Sequence, residues 1–175
     1  MDEILNTLYE KRKEYKGISE VVKLLKDDKK FKKVLIEGIS ANKITGFPEE
    51  LWEKIEKQNI RGISNFTDVF SRGLNIDRCT VAAKQLSYSF DECIIAGGTL
   101  KCLINSKSHT AKDGRHTWII SNNKIYDTTF MLVIDIDISK KLGYKLENQY
   151  NPNIDPIYLA AKQFTNDKSL RTKSH

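Results

Sequence analysis

The spacing of apolar residues in this chain changes character near residue 90. Before that point apolar residues recur at helical spacing, as in EELWEKIEKQN. After it the apolar runs are short, rich in β-branched and aromatic residues, and separated by turn residues. Helices that precede strands, rather than alternating with them, favour an α+β fold with an antiparallel sheet. We predict about four strands, in the runs IIAGGTLKCLI, HTWIIS, KIYDTTF and MLVIDIDI.

The length of 175 residues suits one domain with appended segments. We predict a helical N-terminal region over residues 1–73 and a core over residues 74–163. The N-terminal helices include FKKVLIEGI and the segment that Pro48 opens, a position where proline suits the first turn. The core holds one helix, the strands and a short last helix. The polar residues 164–175 are predicted to form a flexible tail.

Charge and hydropathy narrow the possible partners. The formal net charge is +6, but charges of both signs are interleaved, as in KLLKDDKKFKK, which is typical of a solvated helical surface. Nucleic acid is therefore not the favoured partner. The N-terminus MDEILNTLYEKRKEYK lacks the apolar segment of a signal peptide, and no apolar run reaches the ~20 residues of a membrane span. We expect a cytoplasmic protein without membrane contact, or one exported by another route.

The chain has three cysteines, Cys79, Cys93 and Cys102. An odd number in a reducing compartment argues against a disulfide framework. Together with His109 and His116 they could be drawn as a zinc site, but no C-x-x-C pair is present, so we predict no metal and no cofactor. The second and third cysteines lie in a strand-like run and are expected to be buried and inert.

Two local patterns predict details of the sheet. Asn122 and Asn123 separate RHTWIIS from KIYDTTF, and asparagine tolerates positive φ, so we predict a two-residue hairpin turn. In that register Ile120 pairs with Ile125. Inside the first strand-like run, the pair Gly97-Gly98 predicts a β-bulge.

The hairpin register brings polar residues together on one face. Because side chains alternate along a strand, His116, Trp118 and Asp127 share a face, on which the histidine and the aspartate are diagonal neighbours. A helix beginning at Cys79, in DRCTVAAKQLSY, is predicted to pack across that face. The helix N-terminus and an imidazolium would both lower the pKa of the thiol. Such a set suits a nucleophile, an acid–base group and an orienting carboxylate.

These residues resemble a known family. A cysteine that opens a helix, a histidine in HTWI and an aspartate in IYDTTF are similar to the transglutaminase-like branch of the papain-like cysteine protease superfamily. The resemblance covers roughly residues 70–135. It implies a helix packed on an antiparallel sheet, and a catalytic core within residues 74–163. It assigns the nucleophile to Cys79, the general base and acid to His116, and the orienting carboxylate to Asp127.

The same resemblance implies a cysteine hydrolase or acyltransferase that attacks an amide bond of a peptide or protein through a thioester. The family includes cross-linking acyltransferases, peptidases, deamidases and amine acetyltransferases, so the resemblance does not imply one substrate. This chain departs from it beside the nucleophile, where Arg78 and Thr80 replace the glycine and aromatic of many members. The second donor to an oxyanion is not placed, and Asn75 and Gln85 are candidates.

Less specific interpretations stay open at this stage. Cys79 could be an ordinary helix residue, and Trp118 could be a core residue or could line a substrate cleft. As an alternative to an enzyme, the fold could serve as a binding module that docks an acidic partner or nucleic acid. Its basic helical residues would be Lys29, Lys30, Lys32 and Lys33. Nothing in the sequence indicates an oligomeric state.

Overall fold

The computed structural model describes residues 27–58, 79–106 and 111–168, which form an α+β fold with five α-helices and one six-stranded antiparallel sheet. The helices are α1 (Lys29–Ser40), α2 (Glu49–Glu56), α3 (Cys79–Ser87), α4 (Ser139–Leu142) and α5 (Pro156–Asn166). The strands are β1 (Ile44–Gly46), β2 (Ile94–Leu100), β3 (Arg115–Ser121), β4 (Lys124–Asp127), β5 (Leu132–Asp135) and β6 (Tyr144–Tyr150). Their order across the sheet is β1-β5-β4-β3-β2-β6.

The predicted α+β class and antiparallel sheet are confirmed, but the number of strands is six rather than about four. The two additional strands, β1 and β6, form the edges of the sheet. β1 has only three residues, and it lies within the region predicted to be helical. β6 reads YKLENQY and is exposed after its first residue, so it lacks an alternating apolar pattern. An edge strand needs only one paired neighbour, so a polar sequence can form it.

The hairpin between β3 and β4 forms in the predicted register. Asn122 and Asn123 have φ values of +49° and +58°, as a two-residue turn between twisted strands requires. Ile120 pairs with Ile125.

The bulge predicted at Gly97 and Gly98 is also present, as a register shift between β2 and β6. A Cβ on Gly98 would lie 1.9 Å from the carbonyl oxygen of Lys145, so this close approach requires glycine.

Capping residues and a proline mark where three of the helices begin. Asp28 caps α1 by accepting a hydrogen bond from the backbone N–H of Phe31 at 2.8 Å. Pro48 precedes α2, whose first turn carries Glu49 and Glu50 at the positive end of the helix. Asp155 caps α5 through the backbone N–H of residue 157 at 2.9 Å. These caps fix where the apolar stripe of each helix meets the sheet.

The sheet has an apolar cluster on each face. On one face α1 packs against β2, β3, β4 and β5, and this cluster includes Phe31, Leu35, Ala96, Trp118, Ile125, Phe130 and Ile134. On the other face α2 and α3 cover the sheet, and this second cluster includes Leu51, Ile55, Ala83, Leu86, Ile119, Met131 and Val133.

The face on which α3 packs differs from the prediction. The helix contacts β3 through Ala83 and Leu86 beside Ile119, and the hydroxyls of Thr80 and Thr117 are hydrogen-bonded at 2.9 Å. It therefore lies on the face opposite His116, Trp118 and Asp127. The physical reason is that the predicted face is already filled by α1 and by the side chains of Phe130 and Tyr144.

Several parts of the predicted organisation fall outside the described residues: residues 1–26 and 59–73 of the helical N-terminal region, His109, and residues 169–175 of the tail. α5 continues to Asn166, past the start predicted for the tail at residue 164. None of the helices in the described ranges is long and apolar enough to cross a membrane.

Candidate functional site

A histidine and an aspartate are hydrogen-bonded inside the sheet. His116 lies near the start of β3, and Asp127 ends β4. The Nε2 atom of His116 lies 2.7 Å from Oδ2 of Asp127, and both side chains are completely buried. The sequence predicted this contact from the hairpin register, and the structure brings the two residues together.

Asp127 is held by further donors. Its Oδ1 atom accepts hydrogen bonds from the backbone N–H of Thr129 at 2.8 Å and of Phe130 at 3.4 Å. Its Oδ2 atom, besides contacting His116, accepts a hydrogen bond from the hydroxyl of Tyr144. A buried carboxylate requires such donors to offset its desolvation.

The contact with Tyr144 was missed in the sequence because this residue opens β6, the edge strand whose pattern gave no strand signal. The two backbone donors have a recognisable signal. Aspartate commonly accepts hydrogen bonds from N–H groups two and three residues ahead, so DTTF predicts this local turn.

Cys79 is the first described residue of α3 and is 8% exposed. The ladder between β3 and β4 ends at the pair of Ile119 and Tyr126, before Thr117. The backbone N–H of Thr117 instead interacts with the Cys79 thiol. Although α3 lies on the other face, the thiol is near enough to the His116 ring for each group to shift the pKa of the other.

The other ring nitrogen of His116 is the one left for this thiol. Nδ1 is buried and has no partner in ordinary hydrogen-bond geometry within the described ranges. The ring and the thiol nevertheless interact electrostatically, each shifting the pKa of the other. Nε2 is engaged with Asp127, so Nδ1 is the atom that can exchange a proton with Cys79.

The pKa shifts of the three groups all favour their charged forms, a thiolate, an imidazolium and a carboxylate. Burial alone would raise the pKa of the Cys79 thiol, but the His116 ring and the Thr117 N–H outweigh it and lower this pKa. Burial alone would lower the pKa of His116, but Asp127 and then Cys79 raise it above its ordinary value. Burial opposes ionisation of Asp127 as well, yet His116, Tyr144 and the Thr129 N–H lower its pKa.

The other two cysteines have the opposite electrostatic character. Both are buried free thiols, as expected from the sequence. Burial raises the pKa of Cys93 to about 11. Burial, with the nearby Asp127 and Asp28 carboxylates, raises the pKa of Cys102 further. The direction of the pKa shift therefore distinguishes Cys79 from Cys93 and Cys102.

Trp118 is 1% exposed and packs in the apolar cluster on the α1 face. Its ring lies 5.8 Å from that of His116 and meets Tyr144 edge-on at 5.1 Å. Trp118 is therefore a core residue, which is one of the two roles considered from the sequence. A role in lining a substrate cleft stays a prediction.

Neither of the two candidate donors to an oxyanion, Asn75 and Gln85, is placed beside the thiol by the described residues. Gln85 is buried in the last turns of α3, six residues after Cys79, about 9 Å along the helix axis. That distance separates it from the thiol. Asn75 and Arg78 lie outside the described residues. The backbone N–H groups near the thiol are that of Thr117 and those of the first described turn of α3.

In residues 27–58, 79–106 and 111–168, no group of three or more His, Cys, Asp or Glu residues is arranged to hold a metal ion. His109 lies outside these ranges.

The chain matches no family model, no curated protein and no solved structure. Its function is therefore inferred from the geometry and electrostatics of Cys79, His116 and Asp127.

Proposed function

We propose that this protein is a cysteine-dependent acyl-transfer enzyme that acts on an amide bond through a thioester. The observation that carries the proposal is the buried 2.7 Å contact between His116 and Asp127, beside a thiol at the start of a helix. The thiol has a lowered pKa, whereas the pKa values of Cys93 and Cys102 are raised. We assign Cys79 as nucleophile, His116 as acid and base, and Asp127 as orienting carboxylate.

A purely structural role explains this cluster less well. Burying a charged pair carries a desolvation penalty that often exceeds its Coulombic gain, so apolar residues of similar volume stabilise a core at least as well. Here both side chains are completely buried next to a thiol that they influence electrostatically. Perturbed pKa values of this kind cluster at functional sites.

The proposed reaction follows from the proton positions. The Cys79 thiolate attacks the amide carbonyl carbon, forming a C–S bond and a tetrahedral oxyanion near the α3 N–H groups. His116 gives its Nδ1 proton to the amide nitrogen, the C–N bond breaks, and the amine leaves. Water or a second amine, deprotonated by Nδ1, then attacks the thioester and releases the thiolate. Throughout, Asp127 holds Nε2 and therefore the orientation of the ring.

The arrangement of elements supports the transglutaminase-like branch of the papain-like superfamily as the family of this enzyme. The helix that carries the cysteine precedes five of the six strands of the antiparallel sheet, and the histidine and the aspartate lie on adjacent strands β3 and β4. A peptide or protein is the proposed substrate. The acceptor is water in a peptidase or amidase, and an amine in a cross-linking enzyme.

Trapping the acyl intermediate tests this function. The protein is incubated with a library of peptide amides, quenched in acid and analysed by intact mass and peptide mapping. We expect an acyl adduct on Cys79 that hydroxylamine removes, as it does a thioester. The matched controls are Cys79→Ala, which should carry no adduct, and Cys93→Ala, which should still carry it. Adducts spread over all three cysteines, or none at all alongside slow, equal alkylation of the three thiols, would contradict the proposal.

A second candidate is a binding module with the same fold. The specific observation is that Lys29, Lys30 and Lys33 are exposed on α1, opposite its buried residues Phe31 and Leu35. A cationic face of this kind could dock an acidic protein surface or nucleic acid without any chemistry at Cys79.

A further inference from the structure

Tyr144 contacts the candidate site from an element that the proposed mechanism does not use. It is the first residue of β6, directly after Gly143, which ends α4 with a φ of +96°. Its hydroxyl donates a hydrogen bond to Oδ2 of Asp127. The same oxygen is 2.7 Å from Nε2 of His116. Two donors from different strands therefore share one carboxylate oxygen.

The tyrosine ring is fixed in this position. Tyr144 is 5% exposed, and its ring meets Trp118 edge-on, with centroids 5.1 Å apart and planes at 78°. The backbone N–H of Lys101 donates to the carbonyl of Gly143 at 3.1 Å, which anchors the chain just before it. A hydroxyl held this way cannot swing away to water, so it stays on Asp127.

We propose that Tyr144 is a positioning residue that holds the Asp127 carboxylate and weakens its pull on His116. The catalytic meaning of this role rests on the proposed function, but the contact itself does not. A second donor on Oδ2 draws off part of the negative charge that would otherwise act on the imidazole. The imidazolium then keeps enough acidity to protonate a leaving amine.

The charged and titratable groups around the imidazole come from several elements. Asp127 lies on β4, Cys79 on α3 and Tyr144 on β6. Cys102, in the 3-10 turn after β2, is close enough to Asp127 for the carboxylate to raise its pKa. Among these groups, Tyr144 is the neutral donor that acts on the aspartate, and it is one of the causes that lower the pKa of Asp127.

Replacing Tyr144 by phenylalanine tests this role, because the change removes the hydroxyl and keeps the ring. We expect the pKa of His116 to rise further above its ordinary value, by about half a unit or more. The measurement is a pH titration of ¹⁵N-labelled histidine side chains by NMR. The chain has three histidines, and the variants His109→Gln and His175→Gln assign the signals by elimination. The alkaline limb of Cys79 acyl transfer should move upward by the same amount.

The matched control is Tyr158→Phe. Tyr158 is also a buried tyrosine, 2% exposed, but its hydroxyl is 2.7 Å from the hydroxyl of Ser87 and does not contact Asp127. This variant should lose a comparable contact and leave the His116 titration unchanged.

A second measurement keeps the test decisive if Tyr144→Phe folds poorly. Site-specific 3-fluorotyrosine at position 144 has a more acidic hydroxyl that donates more strongly, so the pKa of His116 should fall. An unchanged His116 titration in a folded Tyr144 variant, or shifts equal to those of Tyr158→Phe, would overturn the proposal. If the titration shifts as expected but no acyl adduct forms on Cys79, the positioning role stands and the proposed enzyme function fails.

Discussion

His116, Asp127 and Cys79 show how individual residues counteract the cost of burial. Each of these groups is disfavoured in its charged form by burial, and each is shifted toward that form by specific neighbours. The carboxylate accepts four hydrogen bonds, from His116, Tyr144 and two backbone N–H groups. Removing one partner of a buried ion pair costs roughly 3–5 kcal/mol, because the other charge remains buried.

The pH dependence of alkylation is the prediction at this scale. A thiol reacts as its thiolate, so a lowered pKa moves the rise in rate to lower pH. We expect iodoacetamide to modify Cys79 with an apparent pKa below 9.0, the ordinary value. Cys93 should react only near its raised pKa of about 11. Peptide mapping by mass spectrometry across a pH series measures each rate.

The variant His116→Gln serves as the control for this prediction. It removes the group that most lowers the pKa of Cys79 and leaves burial, which raises this pKa. The apparent pKa of Cys79 should then increase, while that of Cys93 stays the same. A single common pH profile for Cys79 and Cys93 in the unaltered protein would count against the assigned nucleophile.

At the scale of elements, the β3–β4 hairpin sets the geometry of the site. Its two-residue turn fixes the register, and a slip by one residue would move Asp127 to the opposite face from His116. Both turn residues have positive φ, which costs asparagine little and other non-glycine residues more. The turn thus links a local sequence signal to a contact between two strands.

Substitution at Asn123 tests this link. We expect Asn123→Ala to lower the free energy of unfolding by about 1 kcal/mol, because alanine is strained at a φ of +58°. Asn123→Gly is the matched variant and should be neutral or stabilising, since glycine is favoured there. Urea denaturation measures both. Equal destabilisation by alanine and glycine would show that the turn conformation does not determine the stability of the hairpin.

At the scale of the whole molecule, the sheet is covered on both faces, and the full chain has a formal net charge of +6. The exposed lysines of α1 lie on the helix that covers the face containing His116 and Trp118. If α1 is a docking face, binding depends on these particular lysines. If α1 is only a solvated helix, binding depends on the net charge of the whole chain.

Charge reversal separates these two possibilities. The variant with Lys29, Lys30 and Lys33 changed to Glu lowers the formal net charge from +6 to 0. Reversing three exposed lysines elsewhere, at 140, 141 and 145, gives the same net charge. If α1 is a docking face, only the first variant should lose binding to heparin or an acidic protein, with at least tenfold weaker affinity by titration. Equal loss in both variants would indicate a non-specific effect of net charge.

The sequence by itself determined the features that depend on neighbours in the chain. Spacing of apolar residues predicted the helices and the four central strands, the asparagine pair predicted the hairpin register, and Gly97-Gly98 predicted the bulge. The contact between His116 and Asp127 followed from that register, because alternation along two paired strands is a local property.

Only the tertiary structure decided the features that depend on distant residues. The edge strands β1 and β6 form because β5 and β2 offer unpaired edges, and their own sequences are too short or too polar to show it. The face on which α3 packs was decided by α1, which fills the other side, so Cys79 meets the imidazole at the end of the β3–β4 ladder. Tyr144 reaches Asp127 because β6 pairs with β2, a contact between segments far apart in the chain. Elements compete for one face of the sheet, and the sequence of a single element does not show which of them will cover that face.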